Sequence, residues 1–283
     1  MEKQFFNENA IYVGEVNIKV TNLEQSITFY KEIIGFDVLE QTKGRAVLTA
    51  DGKTPLVTLE QPEDIQPKEG RTAGLYHFAI LLPSRADLSH FLSHIVQTKY
   101  RYGLGAADHY VSEALYLSDP DGNGIEVYHD RPSSEWNWSN GQVDMATVEL
   151  DAQGILDESN GKWTGLPKDT IIGHIHLHVR DLESTEAFYI KGLGFEVVTQ
   201  LPGALFTSTA RYHHHIGLNV WNGTGAKIPD KNRVGLNYFT LVFPDDDKRQ
   251  QTVDRLENQG LYVEKQDNIH VVEDPSGNVI HLV

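Results

Sequence analysis

The feature that most constrains this chain is that it is written twice. GEVNIKVTNLEQSITFYKEIIGFDVLEQ, from Gly14 to Gln41, recurs as GHIHLHVRDLESTEAFYIKGLGFEVVTQ from Gly173 to Gln200, with Gly, Val, Leu-Glu, Phe-Tyr, Gly-Phe, Val and Gln in register. A second pair comes next, GLYHFAILLP from Gly74 and GLNYFTLVFP from Gly235. A third closes each half, SDPDGNGIEVY ending at Tyr128 and EDPSGNVIHLV ending at Val283. Three matched pairs in one order are a tandem duplication, so both halves must fold into the same substructure.

Each half also reads as two similar units. VNIKV alternates as a half-buried strand does. Asn22 or Asp181 can cap a helix in the adjoining segment, and LEQSITFYKEIIG has helical spacing closed by Gly35. Strand-like RAVLTA and LVTLEQ come next in the first half, and ALFTS and HHIGLNVW in the second, separated by Gly, Pro and Asp turn signals. The second unit opens on FAILLP, continues through helix-like ADLSHFLSHIVQTK and ends on ALYLSDPDGNGIEVY, where Asp-Gly-Asn-Gly signals a tight hairpin. The expectation is an α+β chain of four βαβββ units. Residues 1–130 form a first domain of two units, 131–169 a polar linker interrupted by Pro132 and Pro167, and 170–283 a second domain of two units.

Composition narrows the chemistry. Lys and Arg number 24 against 40 Asp and Glu, a net charge of -16, and no basic cluster breaks that excess. A phosphate-neutralising, nucleic-acid-binding surface is therefore not expected. The absence of cysteine excludes disulfides, thiolate nucleophiles and Cys-ligated metal, so any metal must sit on His, carboxylate or water. No run of about 18 apolar residues occurs, and the N-terminus lacks a basic segment followed by an apolar one, so the expectation is a soluble cytoplasmic protein with no membrane partner. Thirteen histidines, three of them consecutive at His213, His214 and His215, leave metal binding and catalysis open.

Gly-His-Ile-x-Leu-x-Val-x-Asp-Leu-Glu, the later Phe-Tyr and Leu-Gly-Phe, and Asp-Pro-x-Gly-Asn-x-Ile-Glu closing a unit resemble the vicinal oxygen chelate superfamily. That group includes glyoxalase I, fosfomycin and bleomycin resistance proteins and extradiol catechol dioxygenases. The two-domain layout, with Tyr-His-His-His-Ile-Gly-Leu-Asn and Gly-Leu-Tyr-His-Phe-Ala, is most similar to catechol 2,3-dioxygenase-like proteins. The resemblance implies that paired units form half-open barrels, with a divalent metal in a concave face.

In such proteins one ligand stands on a unit's first strand and another on its last. The first-strand positions here hold Glu15, His77, His174 and Tyr238, and the last-strand positions Thr58, Glu126, Gly217 and His281. Pairing units within each half assembles no set of two His and one carboxylate. Pairing the second unit with the third collects His77, Glu126 and His174, a facial triad that leaves positions open on the metal. The inner units are therefore expected to form the metal cup, with Glu15, Tyr238 and His281 as relics in the outer one. This departs from the usual dioxygenase layout, in which all three ligands come from the second half.

The resemblance implies further roles. Tyr116, ten residues before Glu126, matches a tyrosine that hydrogen-bonds the bound catechol. His215 matches an active-site acid/base, with a lining residue as the alternative. His109 matches a residue contacting the ring substituent, although two extra residues separate it from Tyr116, and His176 lies on the His174 face as substrate contact or lining. Three functions stay open: an extradiol dioxygenase using Fe(II), with Mn(II) as alternative, on an aromatic diol and O2; a glyoxalase-like lyase or isomerase using Ni(II) or Zn(II); and a metal-free binder of a small aromatic compound. Family members often assemble, which implies a homo-oligomer.

Overall fold

A computed structural model describes residues 1–98, 100, 102–158 and 161–283. Unit one comprises β1 (Tyr12–Lys19), α1 (Leu23–Phe29), β2 (Asp37–Gln41), β3 (Arg45–Thr49) and β4 (Val57–Glu60). Unit two comprises β5 (Gly74–Leu81), α2 (Arg85–Gln97), β6 (Gly105–Asp108), β7 (Ser112–Ser118) and β8 (Gly124–Asp130). A small hairpin, β9 (Trp138–Ser139) with β10 (Gln142–Val143), and α3 (Ala152–Asp157) lie in the stretch read as linker. Unit three comprises β11 (Ile171–His178), α4 (Leu182–Glu186), β12 (Glu196–Leu201), β13 (Ala204–Ser208) and β14 (Ile216–Asn219). Unit four comprises β15 (Gly235–Val242), α5 (Asp246–Asn258), β16 (Glu264–Gln266), β17 (Ile269–Glu273) and β18 (Val279–Leu282).

The units pair inner with inner and outer with outer. One sheet runs β12-β13-β14-β11-β5-β8-β7-β6, the other β16-β17-β18-β15-β1-β4-β3-β2. Each is an α+β half-barrel of eight strands, joined at its centre by antiparallel first strands, β11 with β5 or β1 with β15. The sheets pack through one shared core: Val16, Ile18, Phe78, Ile80, Ile175, Leu177, Phe239 and Leu241 from the four central strands all belong to it. Burying each side chain contributes about 1.5–3 kcal/mol. Strand alternation then turns residues 15 and 17, 77 and 79, 174 and 176, and 238 and 240 to the opposite, concave faces.

Helix starts obey local chemistry. Asn22, Ser84, Asp181 and Asp245 each accept the backbone N–H three residues on. The repeated Phe-Tyr-x-x-x-x-Gly segment is not plain α-helix: it widens to a π-turn over Tyr30–Ile34 and Ala187–Gly192. The tyrosines of these widened turns reach the closing turn of the next unit. Tyr30 donates to Asp119 at 3.2 Å and Tyr189 to Asp274 at 3.0 Å, tying the two sheets together within each half. Lys99, near the end of the expected second helix, lies outside the described residues.

The connections that carry the chain between sheets are laced to each other. Gln66 N–H donates to Asn232 O at 2.7 Å, Ala73 N–H to Lys227 O at 2.9 Å and Val234 N–H to Gln66 O at 3.0 Å. The 131–169 stretch also packs back on the body. Trp136 is buried against Phe5, Tyr212 and His213, and Trp138 lies under the Arg211 guanidinium.

Candidate metal centre

Register alone brings the chemistry to one face of the inner sheet. Tyr116 pairs with Glu126, Glu126 with Ala79, and Ala79 with His174, so these four form one row across β7, β8, β5 and β11. The next row holds Gly124, His77, His176 and Gly217. Ala79 is the small member that lets Glu126 and His174 converge over it. A bulge aims His174: register shifts between Ile172 and His174, and a Cβ on the intervening Gly173 would meet the Tyr128 hydroxyl at 1.9 Å. Gly217 has a matching cause, since a Cβ there would stand 2.9 Å from the His176 ring.

His77, Glu126 and His174 are all buried, with donor atoms within 4.8 Å of one another. Glu126 Oε2 lies 3.0 Å from His77 Nε2 and 3.2 Å from His174 Nε2. Ligands about 2.1 Å from a common ion, at right angles to one another, stand about 3.0 Å apart. His77 Nε2 and His174 Nδ1 are buried without a hydrogen-bond partner among the described residues. A donor set of two imidazoles and one carboxylate with an unsatisfied nitrogen fits a borderline divalent cation. Burial would raise the Glu126 carboxyl, but His174 and His77 outweigh it and hold it well below the usual range, so it is ionised. Burial pushes His174 down to about 4, against the opposing pull of Glu126, so its imidazole is neutral and free to ligate.

Tyr116 sits beside the triad, its ring 5.6 Å from that of His77. Burial, with the Glu126 charge, pushes its phenol well up, so it remains a proton donor. That donation goes to His109 Nε2 at 2.6 Å, while His109 Nδ1–H donates to Ala146 O. His176 packs at 5.1 Å from the His77 ring and accepts from Asn219 Nδ2 at 2.9 Å.

The three consecutive histidines separate. His215 turns both ring nitrogens away from the triad: Nε2 donates to Phe5 O at 2.9 Å, and Nδ1 accepts from Thr209 N–H at 3.3 Å. The imidazole packed against the triad is His214, whose ring is tilted 45° to that of His174 with the centres 4.1 Å apart. Behind it, Asp130 Oδ1 accepts from His213 Nε2–H at 2.8 Å, and His213 Nδ1 accepts from His214 Nδ1–H at 2.8 Å. Tyr212 donates to the other Asp130 oxygen. This relay fixes the proton of His214 on Nδ1 and leaves its Nε2 as a lone pair. Sequence reading missed it because His213–His215 precede β14, where strand alternation does not apply; the buried Asp130 carried no motif.

Residues 12–127 and 171–282 match the glyoxalase/bleomycin resistance protein/dioxygenase superfamily. The chain belongs to that superfamily. Among curated members, it is 45% identical over 278 residues to a protein named catechol-2,3-dioxygenase from Bacillus subtilis strain 168, covering 96% of this chain and 97% of that one. The superfamily fold is also seen in CppA protein from Streptococcus pneumoniae TIGR4, with TM-score 0.60, 13% identity and coverage of 97% and 99%. Glyoxalase I from Zea mays aligns with TM-score 0.57, 17% identity and coverage of 96% and 92%. In the second superfamily cup of this chain, Tyr238 stacks on His281 at 3.9 Å and Thr58 hydrogen-bonds Glu15. No helix in the described residues is long and apolar enough to cross a membrane.

Proposed function

We propose that this protein is an extradiol dioxygenase that cleaves an aromatic diol with O2. The observation that carries the reading is the buried His77, Glu126 and His174 set on one sheet face, with Gly217, which has no donor, at the position where a fourth protein ligand would stand. Three protein ligands leave room for both diol oxygens and O2. Fe(II), or Mn(II) in its place, would supply electron transfer between the diol and oxygen. The near-identical length and 45% identity of the Bacillus subtilis relative named catechol-2,3-dioxygenase support this chemistry.

The protein's own residues then have defined work. Tyr116, its O–H committed to His109 Nε2, presents its phenol oxygen at the cup wall as an acceptor for a diol hydroxyl. His214 Nε2 takes a proton from the incoming diol and later returns it. His215 holds the turn before β14 against the N-terminal segment, and His176 lines the floor beside His77.

The test is anaerobic Fe(II) reconstitution of wild type and Glu126→Ala, followed by oxygen uptake and near-ultraviolet absorbance with catechol. Uptake with ring-fission absorbance, lost in the variant, supports the reading. Metal-loaded wild type that is silent toward catechols but isomerises a hemithioacetal redirects it to glyoxalase-like chemistry.

A further inference from the structure

A cleft of about 820 Å³ opens from His77 and Tyr116 toward the two laced crossovers and the ends of β1 and β15. Acidic residues outnumber basic ones 40 to 24 in the whole chain, yet the wall of this cleft reverses the ratio. It carries Lys19, Lys68, Arg71, Lys231 and Arg233 against Glu69, Asp230 and Glu273. Two of those acids are drawn off by Lys227, outside the wall: Glu69 at 3.2 Å and Asp230 at 3.5 Å.

Backbone carbonyls, more than counter-ions, hold the lysines in place. Lys68 Nζ donates to Gly122 O at 2.8 Å, in the turn that leads into β8 and hence to Glu126. The carboxylates of that turn are already engaged. Asp119 accepts from Tyr30, Asn123 and Asp121, and Asp121 from Thr21. Lys19 Nζ donates to Lys231 O at 2.6 Å, which brings two lysines of like charge together. Arg233 Nε makes no hydrogen bond among the described residues and lies 3.9 Å from Asp230 Oδ2, while its Nη1 donates to Pro67 O. Like charges gathered at the mouth of a cleft raise the local concentration of an anion and lower their own repulsion when it binds.

We propose that this cleft is a carboxylate subsite, so that the preferred substrate is an aromatic diol bearing an acidic side chain, with the ring at His77 and Tyr116 and the acid toward Lys68. The assignment rests on the dioxygenase reading for its ring chemistry and on the cleft alone for its charge preference. An ion pair in such a half-enclosed site favours the acid over an uncharged isostere by about tenfold.

The test compares 3-(3,4-dihydroxyphenyl)propanoate with its primary amide on Fe(II)-reconstituted full-length wild type, Lys68→Met and Lys68→Arg. The expected result is a KM for the acid about tenfold below that of the amide in wild type, rising with ionic strength, lost in Lys68→Met and retained in Lys68→Arg. Equal KM values in wild type, or a preference that survives Lys68→Met, overturn the subsite. If neither diol is turned over, the dioxygenase reading fails and calorimetry decides the subsite separately, using 3-phenylpropanoate and 3-phenylpropanamide. Binding of the acid alone, abolished by Lys68→Met, supports it, and absent or equal binding overturns it.

Discussion

Tyr116 and His109 form a hydrogen bond of 2.6 Å that ties the cup wall to the β6–β7 turn. That turn brings the two together: Tyr110 takes a left-handed φ of 69° and His109 N–H donates to Ser112 O. Because His109 Nδ1–H is committed to Ala146 O, its Nε2 can act as acceptor alone, and Tyr116 must donate. Tyr116→Phe therefore leaves that nitrogen unpaired. The expected loss is about 1–2 kcal/mol of stability and about 10- to 100-fold in kcat/KM toward catechol, read by denaturant titration and steady-state kinetics. A variant with wild-type kcat/KM would remove Tyr116 from the active site.

Asp130 controls His214 through the intervening His213 ring. Asp130→Asn can present an N–H to His213 Nε2, which moves the His213 proton to Nδ1 and forces the His214 proton onto Nε2. The lone pair on His214 Nε2 is then lost. We expect kcat to fall about 10- to 100-fold with metal content unchanged, measured by kinetics beside elemental analysis, and Asp130→Glu to recover part of it. A drop confined to KM would argue against the relay.

Metal retention should depend on each triad member. Glu126→Gln and His77→Ala are expected to lose stoichiometric Fe(II) after gel filtration, whereas His215→Gln keeps it. Saturating metal at about 100 times its Kd should stabilise wild type by about 2.7 kcal/mol and leave Glu126→Gln unmoved. Equal thermal shifts in both proteins would place the ion elsewhere.

Acid should unfold this protein through its buried neutral histidines. Burial is the main cause that lowers His215 to about 3 from 6.5, opposed by its hydrogen bond to Phe5 and assisted by the charges of His213 and His174. Between those values the unfolded chain binds a proton that the folded chain does not. Stability is thus full above about pH 6.5 and falls by about 1.4 kcal/mol per pH unit for this residue as pH drops toward 3. His215→Gln is expected to flatten the slope by about that amount between pH 6 and 5. An unchanged slope in urea titrations would show that His215 titrates normally.

Much of this is legible in the sequence. The repeat carries the four units, and the demand for two His and one carboxylate singles out His77, Glu126 and His174, which β5, β8 and β11 bring together. The relay is not legible, because His214 and Asp130 meet through His213 across 83 residues of chain and share no spacing. Nor is the cationic cleft, whose residues come from both crossovers and both sheets and gather only when the units pair inner with inner. Local pattern reports which face a strand residue takes. It does not report which loops will be laced over that face.

The most direct test of the central claim is product analysis under oxygen-18 gas. Fe(II)-reconstituted wild type with catechol should yield a ring-opened product carrying two oxygen-18 atoms per molecule before exchange, with one O2 consumed for each catechol, and Glu126→Ala should yield none. Intact catechol, or a ring-opened product lacking the label, would contradict the account.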